Sequence, residues 1–330
     1  MTTTPAPRIP VYLDCDTGID DSLAIAYLLA SPEAEIVGIG TVSGNVSAAQ
    51  GAVNTLDLLA LAGHPDIPVA IGAHHPIAGT FDGGAPHVHG ANGIGDVTLP
   101  PSGLEPIAES AAELLIRLSH EYDGELRVLA IGPFTNLAEA LRLDPTLAER
   151  VHGVTVMGGA ALTPGNVTPV AEANIWNDPE AAAAVMEADW DVVLVPLDVT
   201  EENVFEESDR ETLLAAESPF ARALGEILDV YYDFYVVVYG RRSCALHDPL
   251  AAAIVVGGIT ATRAPAVPVV VDTTQGPGRG QTICDLRGQR FGPVDRVGRR
   301  TRVVLDTDRK LAAHLVERIL AFTPGVPAAV

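Results

Sequence analysis

Cysteine is scarce in these 330 residues: Cys15, Cys244 and Cys284 are the only ones, and they stand far apart. They form no Cys-x-x-Cys pair and no zinc-type spacing, so free thiols in a reduced compartment are the simplest reading. Long apolar runs are missing too. Stretches such as 251–256 are far too short to cross a bilayer, so no membrane association is expected. The opening MTTTPAPRIP has no charged segment followed by an apolar run, so no signal peptide is expected. Together these absences point to a cytoplasmic protein, with residues 1–8 a flexible N-terminal tail. Basic residues are also few, 20 Lys and Arg against 43 Asp and Glu, for a net charge of −23. A surface that acidic repels phosphate backbones and argues against nucleic acid as a partner. It suits a bound divalent cation and equally serves solubility.

What is present is ample core material, with 48% hydrophobic and 19% charged residues, which argues against disorder. Strand-like apolar runs at 9–13, 35–42, 68–72, 126–131, 153–157 and 191–196 alternate with helical patterns at 22–30, 48–62, 110–120, 137–143 and 179–187. Strands without polar alternation, separated by helices, predict a mostly parallel α/β sheet covered on both faces. In such sheets ligands sit outside the carboxyl ends of the strands. The stretch 74–103, rich in Pro and Gly, is the longest irregular segment, and loops that long are usually functional or mobile. Further on, a helical pattern covers 220–239, a helix follows Pro249, and β-like stretches cover 267–271 and 302–305. No linker or repeat divides the chain, so a single domain over 1–330 is expected, with the later strands extending or decorating it.

Three clusters carry chemistry. Asp14, Asp16, Asp20 and Asp21 fall within eight residues at a strand end and a helix start. Crowded carboxylates repel one another unless a cation is present, and oxygen-only ligands suit Ca²⁺ or Mg²⁺, not zinc. Helix capping accounts for one or two of these acids, not four. Gly18 lets the chain turn sharply enough for them to converge. The second cluster is His247-Asp248-Pro249, where Pro249 fits a first helical position and Asp248 a cap, while His247 can donate a proton near neutral pH. The third is Asn166, Glu172 and Asn174, downstream of Met157-Gly158-Gly159, a set able to hydrogen-bond several sugar hydroxyls.

Taken together the motifs resemble the inosine-uridine-preferring nucleoside hydrolase family over nearly the whole chain. The most specific match is 14–21, which follows the pattern Asp-x-Asp-x-Gly-x-Asp-Asp. Further matches, in the family's order, are Ser43-Gly44-Asn45, 131–136, 156–159, 171–174, 178–182 and His247-Asp248-Pro249. The resemblance implies a single-domain, Rossmann-like fold and one Ca²⁺ per chain, held by Asp16, Asp21, Asp248 and the backbone carbonyl of Ile131. It implies that Asp16 activates a water held by the calcium. Asp20, Asn45, Asn166, Glu172 and Asn174 would grip the ribose, with Met157 beside it and His247 near the base. Asp14 would orient the ligands from behind, and a homodimer or homotetramer is suggested. The family also places mobile aromatics over the base. Tyr231 and Tyr235, four apart on one helical face, fit either that role or ordinary core packing. One departure is Ala173, where many members carry Phe; it would enlarge the pocket, and Trp176 nearby could compensate.

The reaction so implied is hydrolysis of the bond between ribose C1′ and a base nitrogen, with His247 assisting the departing base. Two rivals fit parts of the sequence. Asp14-Cys15-Asp16-Thr17 matches the opening of a haloacid-dehalogenase-type phosphatase, with Asp14 as nucleophile. That family wants a later cation to steady the phosphate, and the only lysine, Lys310, lies near the end in no such context. A non-catalytic ribose-binding protein on the same scaffold is the other rival, although every residue expected for chemistry is present.

Overall fold

The structure, a computed structural model, describes residues 8–289, 292–298 and 300–325. The expected tail over 1–8 therefore lies, but for Arg8, outside the described residues. Six strands follow the expected alternation: β1 (Ile9–Cys15), β2 (Ala34–Thr41), β3 (Val69–Ile71), β4 (Arg127–Ala130), β5 (Gly153–Met157) and β6 (Val192–Val195). They are joined at one edge by Thr301–Val303, giving a seven-stranded sheet in which every pairing is parallel. The strands are buried from both faces, which is why they read as continuous apolar runs.

From β1 the chain steps outward to β2 and β3, then crosses back to lay β4 on the other side of β1. The carboxyl ends of β1 and β4 therefore face a topological switch point, the crevice where open parallel sheets bind ligands. On one face pack α1 (Ile19–Leu29), α2 (Ala48–Leu61), the long helix Pro219–Tyr239 and the helix His247–Val255. On the other pack the helices Ala111–Glu121, Thr135–Leu143 and Pro179–Glu187, with Trp190 fully enclosed.

The expected β-like stretch at 267–271 does not enter this sheet. Its strand, Val269–Val271, pairs antiparallel with Thr282–Cys284 over the helix Pro179–Glu187. The irregular stretch 74–103 holds one short helix, Pro86–His89, which carries a buried histidine inward. Helices at Leu197–Thr200, Glu207–Leu214 and Ala312–Ala321 went unread in the sequence. The second buries only Leu213, so its apolar period is too thin to register. The third has a clear i, i+4 signal in Leu315 and Ile319.

The fold is tied to the site through Tyr12 and Gly40. Tyr12 Oη donates to Asp14 Oδ2 (2.8 Å), and Gly40 opposite leaves the room this requires, since any Cβ there would overlap the tyrosine hydroxyl. Gly40→Ala is expected to destabilise the protein by about 1–3 kcal/mol, the usual cost of overpacking a filled core. Denaturant midpoints check this, and an unchanged midpoint would show that Tyr12 moves aside freely.

Candidate active site

Strand β1 ends in Asp14 and Cys15, and the turn through Asp16, Thr17 and Gly18 starts α1, whose first turn holds Asp20 and Asp21. A Cβ on Gly18 would stand 2.6 Å from Asn45 Nδ2 and 2.7 Å from His89 Nδ1, so only glycine lets these groups close in. Asp21 does behave as a cap. It accepts the Gly18 N–H (2.7 Å) on Oδ2 and the Asp16 N–H (3.2 Å) on Oδ1. The other acids are not explained that way. Asp16 Oδ2 accepts the Asn45 N–H (2.6 Å), and the Asn45 side-chain amide reaches Asp21 Oδ2 (3.3 Å). Asp248 arrives from across the crevice in the first turn of His247–Val255. Carboxylate oxygens of Asp20, Asp21 and Asp248 lie within 4.8 Å of one another, so this buried trio could hold a metal ion.

Asp14, Asp16, Asp20 and Asp248 each keep one buried oxygen, Oδ1, with no hydrogen-bond partner among the described residues. Burial pushes Asp14 and Asp21 up to about 7. Asp16, Asp20 and Asp248 are also raised, chiefly by burial, and the neighbouring acids Asp21 and Asp20 push Asp16 and Asp248 further. At 4.8 Å and an effective dielectric near 20, each charged pair repels by roughly 3 kcal/mol, so three such pairs approach the whole stability of a domain. These acids must be protonated or share a cation. Four unsatisfied oxygens with no sulfur or imidazole among them fit a hard dication. Asp14 stands behind the others, held by Tyr12 and by Asn136 Nδ2 (3.0 Å).

The sugar-binding candidates line the neighbouring strand ends. Ile131 follows β4; its N–H donates to the Asp14 carbonyl (2.8 Å) and its own carbonyl accepts the Asn174 amide (2.8 Å). The same amide donates to the Met157 carbonyl (3.1 Å) at the end of β5. Glu172 is buried and accepts three backbone N–H groups, from Gly159 (2.9 Å), Asn174 (2.9 Å) and Ile175 (3.2 Å), yet burial still raises its carboxyl to about 7. Asn166 is the outlier. It is exposed, and its Oδ1 accepts the Ala173 N–H (3.0 Å). Trp176 is 38% exposed and lines a cavity of about 190 Å³ with His75, Phe81 and Pro133.

His247 is enclosed between two hydroxyls, with Thr200 Oγ1 at 2.7 Å from Nδ1 and Tyr235 Oη at 2.7 Å from Nε2. Thr200 is fully buried and has no other side-chain partner among the described residues. Each hydroxyl can donate or accept, so together they can serve the one donor and the one acceptor nitrogen of a neutral ring. Burial lowers the proton affinity of this ring, so it is held neutral. The tyrosine stripe packs in the core, and two of its hydroxyls reach Asp20 and His247. Tyr231 Oη donates to Asp20 Oδ2 (3.0 Å), and its ring meets Tyr235 edge to face with centroids 4.9 Å apart. Sequence reasoning missed His89 and Thr200. His89 Nδ1 accepts the Ile19 N–H (3.1 Å) and lies 4.0 Å from Asp20 Oδ1, and burial pushes its pKa down to about 3. Its position in a loop holding four histidines gave no periodic signal to single it out.

A carboxylate nest beside amides and a buried glutamate, at the switch point of a parallel sheet, is the equipment of a hydrolase that handles a polyhydroxylated sugar. The comparisons with known proteins narrow this. The model of the inosine-uridine preferring nucleoside hydrolases matches residues 11–313. Uridine nucleosidase 1 of Arabidopsis thaliana is 40% identical over 246 residues, covering 74% of this chain and 73% of that protein. A solved plant nucleoside hydrolase superposes with a TM-score of 0.89 at 34% identity, covering 96% of this chain and 100% of that one. A purine-preferring ribonucleoside hydrolase from Gardnerella vaginalis gives 0.85 at 32%, covering 94% and 96%. The chain belongs to the inosine-uridine preferring nucleoside hydrolase family. It is a hydrolase of N-glycosyl compounds whose substrates are small ribonucleosides. Among the described residues no helix is long and apolar enough to cross a membrane.

The raised carboxyls have a thermodynamic consequence. Asp14, Asp21 and Glu172 bind protons to about pH 7 when folded, and in the unfolded chain only to about pH 4. Their contribution to stability is fully present below pH 4 and is lost as pH rises through 7. A divalent cation beside Asp21 would displace its proton and supply positive charge to the acids around it. Added cation is therefore expected to raise the melting temperature of chelated protein more at pH 8 than at pH 5. An equal or smaller rise at pH 8 would contradict the assignment of these groups.

Proposed function

We propose that this enzyme is a calcium-dependent ribonucleoside hydrolase with a preference for uridine. The observation that carries the reading is the buried trio Asp20, Asp21 and Asp248, whose carboxylate oxygens lie within 4.8 Å of one another, together with the oxygens of Asp16, Asp20 and Asp248 that have no hydrogen-bond partner among the described residues. Asp16, Asp21, Asp248 and the Ile131 carbonyl would hold the ion; a carbonyl has two lone pairs, so the Asn174 contact does not forbid this. When bound, Ca²⁺ supplies positive charge that makes water more acidic and anchors sugar hydroxyls.

The chain's own groups do the rest. Asp16 takes a proton from the attacking water, whose oxygen bonds to C1′ of the ribose. The C1′–N bond breaks and its electron pair leaves with the base. Asp20, Asn45, Asn166, Glu172 and Asn174 hold the ribose hydroxyls, with Met157 against the ring. His247 and Tyr235 face the departing base; its nitrogen accepts a proton that His247 takes up from solvent and passes on, so the ring ends neutral as it began; Tyr231 keeps Asp20 in place. The enclosing carboxylates favour the positive sugar of the transition state. Uridine is favoured because the plant uridine nucleosidase is 40% identical to this chain over the 246 residues that align, and the purine-preferring neighbour 32% identical over its aligned part. The proposal extends to one catalytic domain over 1–330, one ion per chain, a homodimer or homotetramer as the family resemblance suggests, and a cytoplasmic setting. The three free cysteines, two of them buried, suit such a compartment.

A panel of uridine, cytidine, inosine and guanosine, assayed for base release with and without exhaustive chelation, tests this reading. Turnover is expected to be highest on uridine, to vanish on chelation and to return with Ca²⁺. Asp16→Asn is expected to lose at least the roughly 10²–10⁴-fold worth of general-base catalysis while keeping its fold. Full turnover in metal-free protein, or a loss below about tenfold in Asp16→Asn, would overturn the assignment.

A further inference from the structure

The loop from Gly158 to Glu172 leaves the end of β5 and returns to the same point, where the Gly159 N–H meets Glu172 Oε2 (2.9 Å). Between those ends it carries Asn166, the most exposed of the sugar-binding candidates. Its outgoing limb starts from Ala160 and Ala161, which touch the core, but Leu162 beyond them is 68% exposed. One side chain holds that limb. Asp198 accepts the Ala161 N–H on Oδ2 (2.7 Å), and the Leu162 (2.7 Å) and Thr163 (3.2 Å) N–H groups on Oδ1. Asp198 stands in the short helix Leu197–Thr200 at the carboxyl end of β6. The Leu197 N–H donates to the Gly159 carbonyl (2.9 Å), so this helix grips the base of the loop as well.

We propose that Asp198 is a positioning residue for substrate binding: by clamping 161–163 it fixes Asn166 over the ribose site. The inference rests on the reading of Asn166 as a sugar ligand. Three consecutive N–H groups converge on a single carboxylate, so neutral or truncated side chains cannot replace it without freeing the limb. Asn166 sits three residues beyond Thr163, and its one side-chain hydrogen bond among the described residues, from the Ala173 N–H, is at the other end of the loop. Without the clamp the amide would sample positions away from the sugar, and small misplacements of positioning groups are costly. The same short helix also carries Thr200, so it serves both the sugar side and the base side of the cleft. A second cavity, of about 340 Å³ at the amino ends of the strands, offers no comparable case. Arg300 and Arg302 there are paired with Asp189 and Asp295, and Arg127 closes on the Val255 carbonyl.

The test is a double-mutant cycle in the full-length, calcium-loaded enzyme, with Asp198→Ala and Asn166→Ala assayed singly and together on uridine, alongside melting temperatures. Asp198→Ala is expected to lower kcat/KM by roughly ten- to a hundredfold, mostly through KM. Adding Asn166→Ala to it is expected to cost less than about twofold more, because the amide is already misplaced. A merely structural role would lower the melting temperature and leave the two losses multiplying. Multiplying losses, or wild-type kinetics in Asp198→Ala, would overturn the proposal. A neutral Asn166→Ala in the wild-type background would instead overturn the sugar-ligand reading on which it rests. Should Asp198→Ala not fold, Asp198→Asn carries the same cycle, since it keeps one acceptor oxygen and turns an amide N–H toward the Ala161 donor.

Discussion

Like charge buried in one place is the constraint on which the rest of this structure depends. Asp16, Asp20, Asp21 and Asp248 are brought together from a strand end, a helix start and a second helix, in surroundings that exclude water. Repulsion of that size cannot be absorbed by a domain of ordinary stability. The fold therefore specifies a site that is satisfied only by protons or by positive charge. The same need places the cluster at the amino ends of α1 and His247–Val255, where the helix dipoles offset part of the cost.

Much of the surrounding sequence can be understood as making room for these acids. Gly18, Gly40 and Gly44 each stand where a Cβ would meet Asn45, Tyr12 or Asp16. Behind them Tyr12 and Asn136 secure Asp14, so the strand-end carboxylates rest on a braced layer rather than on solvent. On the opposite wall, two buried hydroxyls hold the His247 ring in place, and Tyr231 holds Asp20. The site is assembled from several separate segments, and nearly every functional group in it is hydrogen-bonded to another.

The parallel sheet was legible in the sequence because strands buried on both faces leave uninterrupted apolar runs, and β5 was read to its residue limits. Asp14, Asp16, Asp20 and Asp21 were legible because they lie within eight residues, and Asp248 because it stands beside His247 and Pro249 in a short motif. Groups that act across long separations were not. Thr200 joins His247 over 47 residues and Asp198 holds a limb 35 to 37 residues away, and neither sits in a periodic pattern. His89 was hidden in an irregular stretch, where no repeat marks an inward-facing residue. The tyrosine stripe had seemed to demand a choice between core and site. A buried ring with a polar tip meets both demands, since Tyr231 and Tyr235 pack as rings and end on Asp20 and His247.

Calorimetric titration of Ca²⁺ into rigorously chelated protein, for the wild type and for Asp248→Ala, tests the central claim most directly, because it reads the carboxylate nest without relying on turnover. The account expects one ion per chain in the wild type, protons released on binding near pH 7, and affinity reduced by about a hundredfold or more when Asp248 is removed. Binding that releases no protons, or an Asp248→Ala variant that takes up the ion as tightly as the wild type, would contradict it.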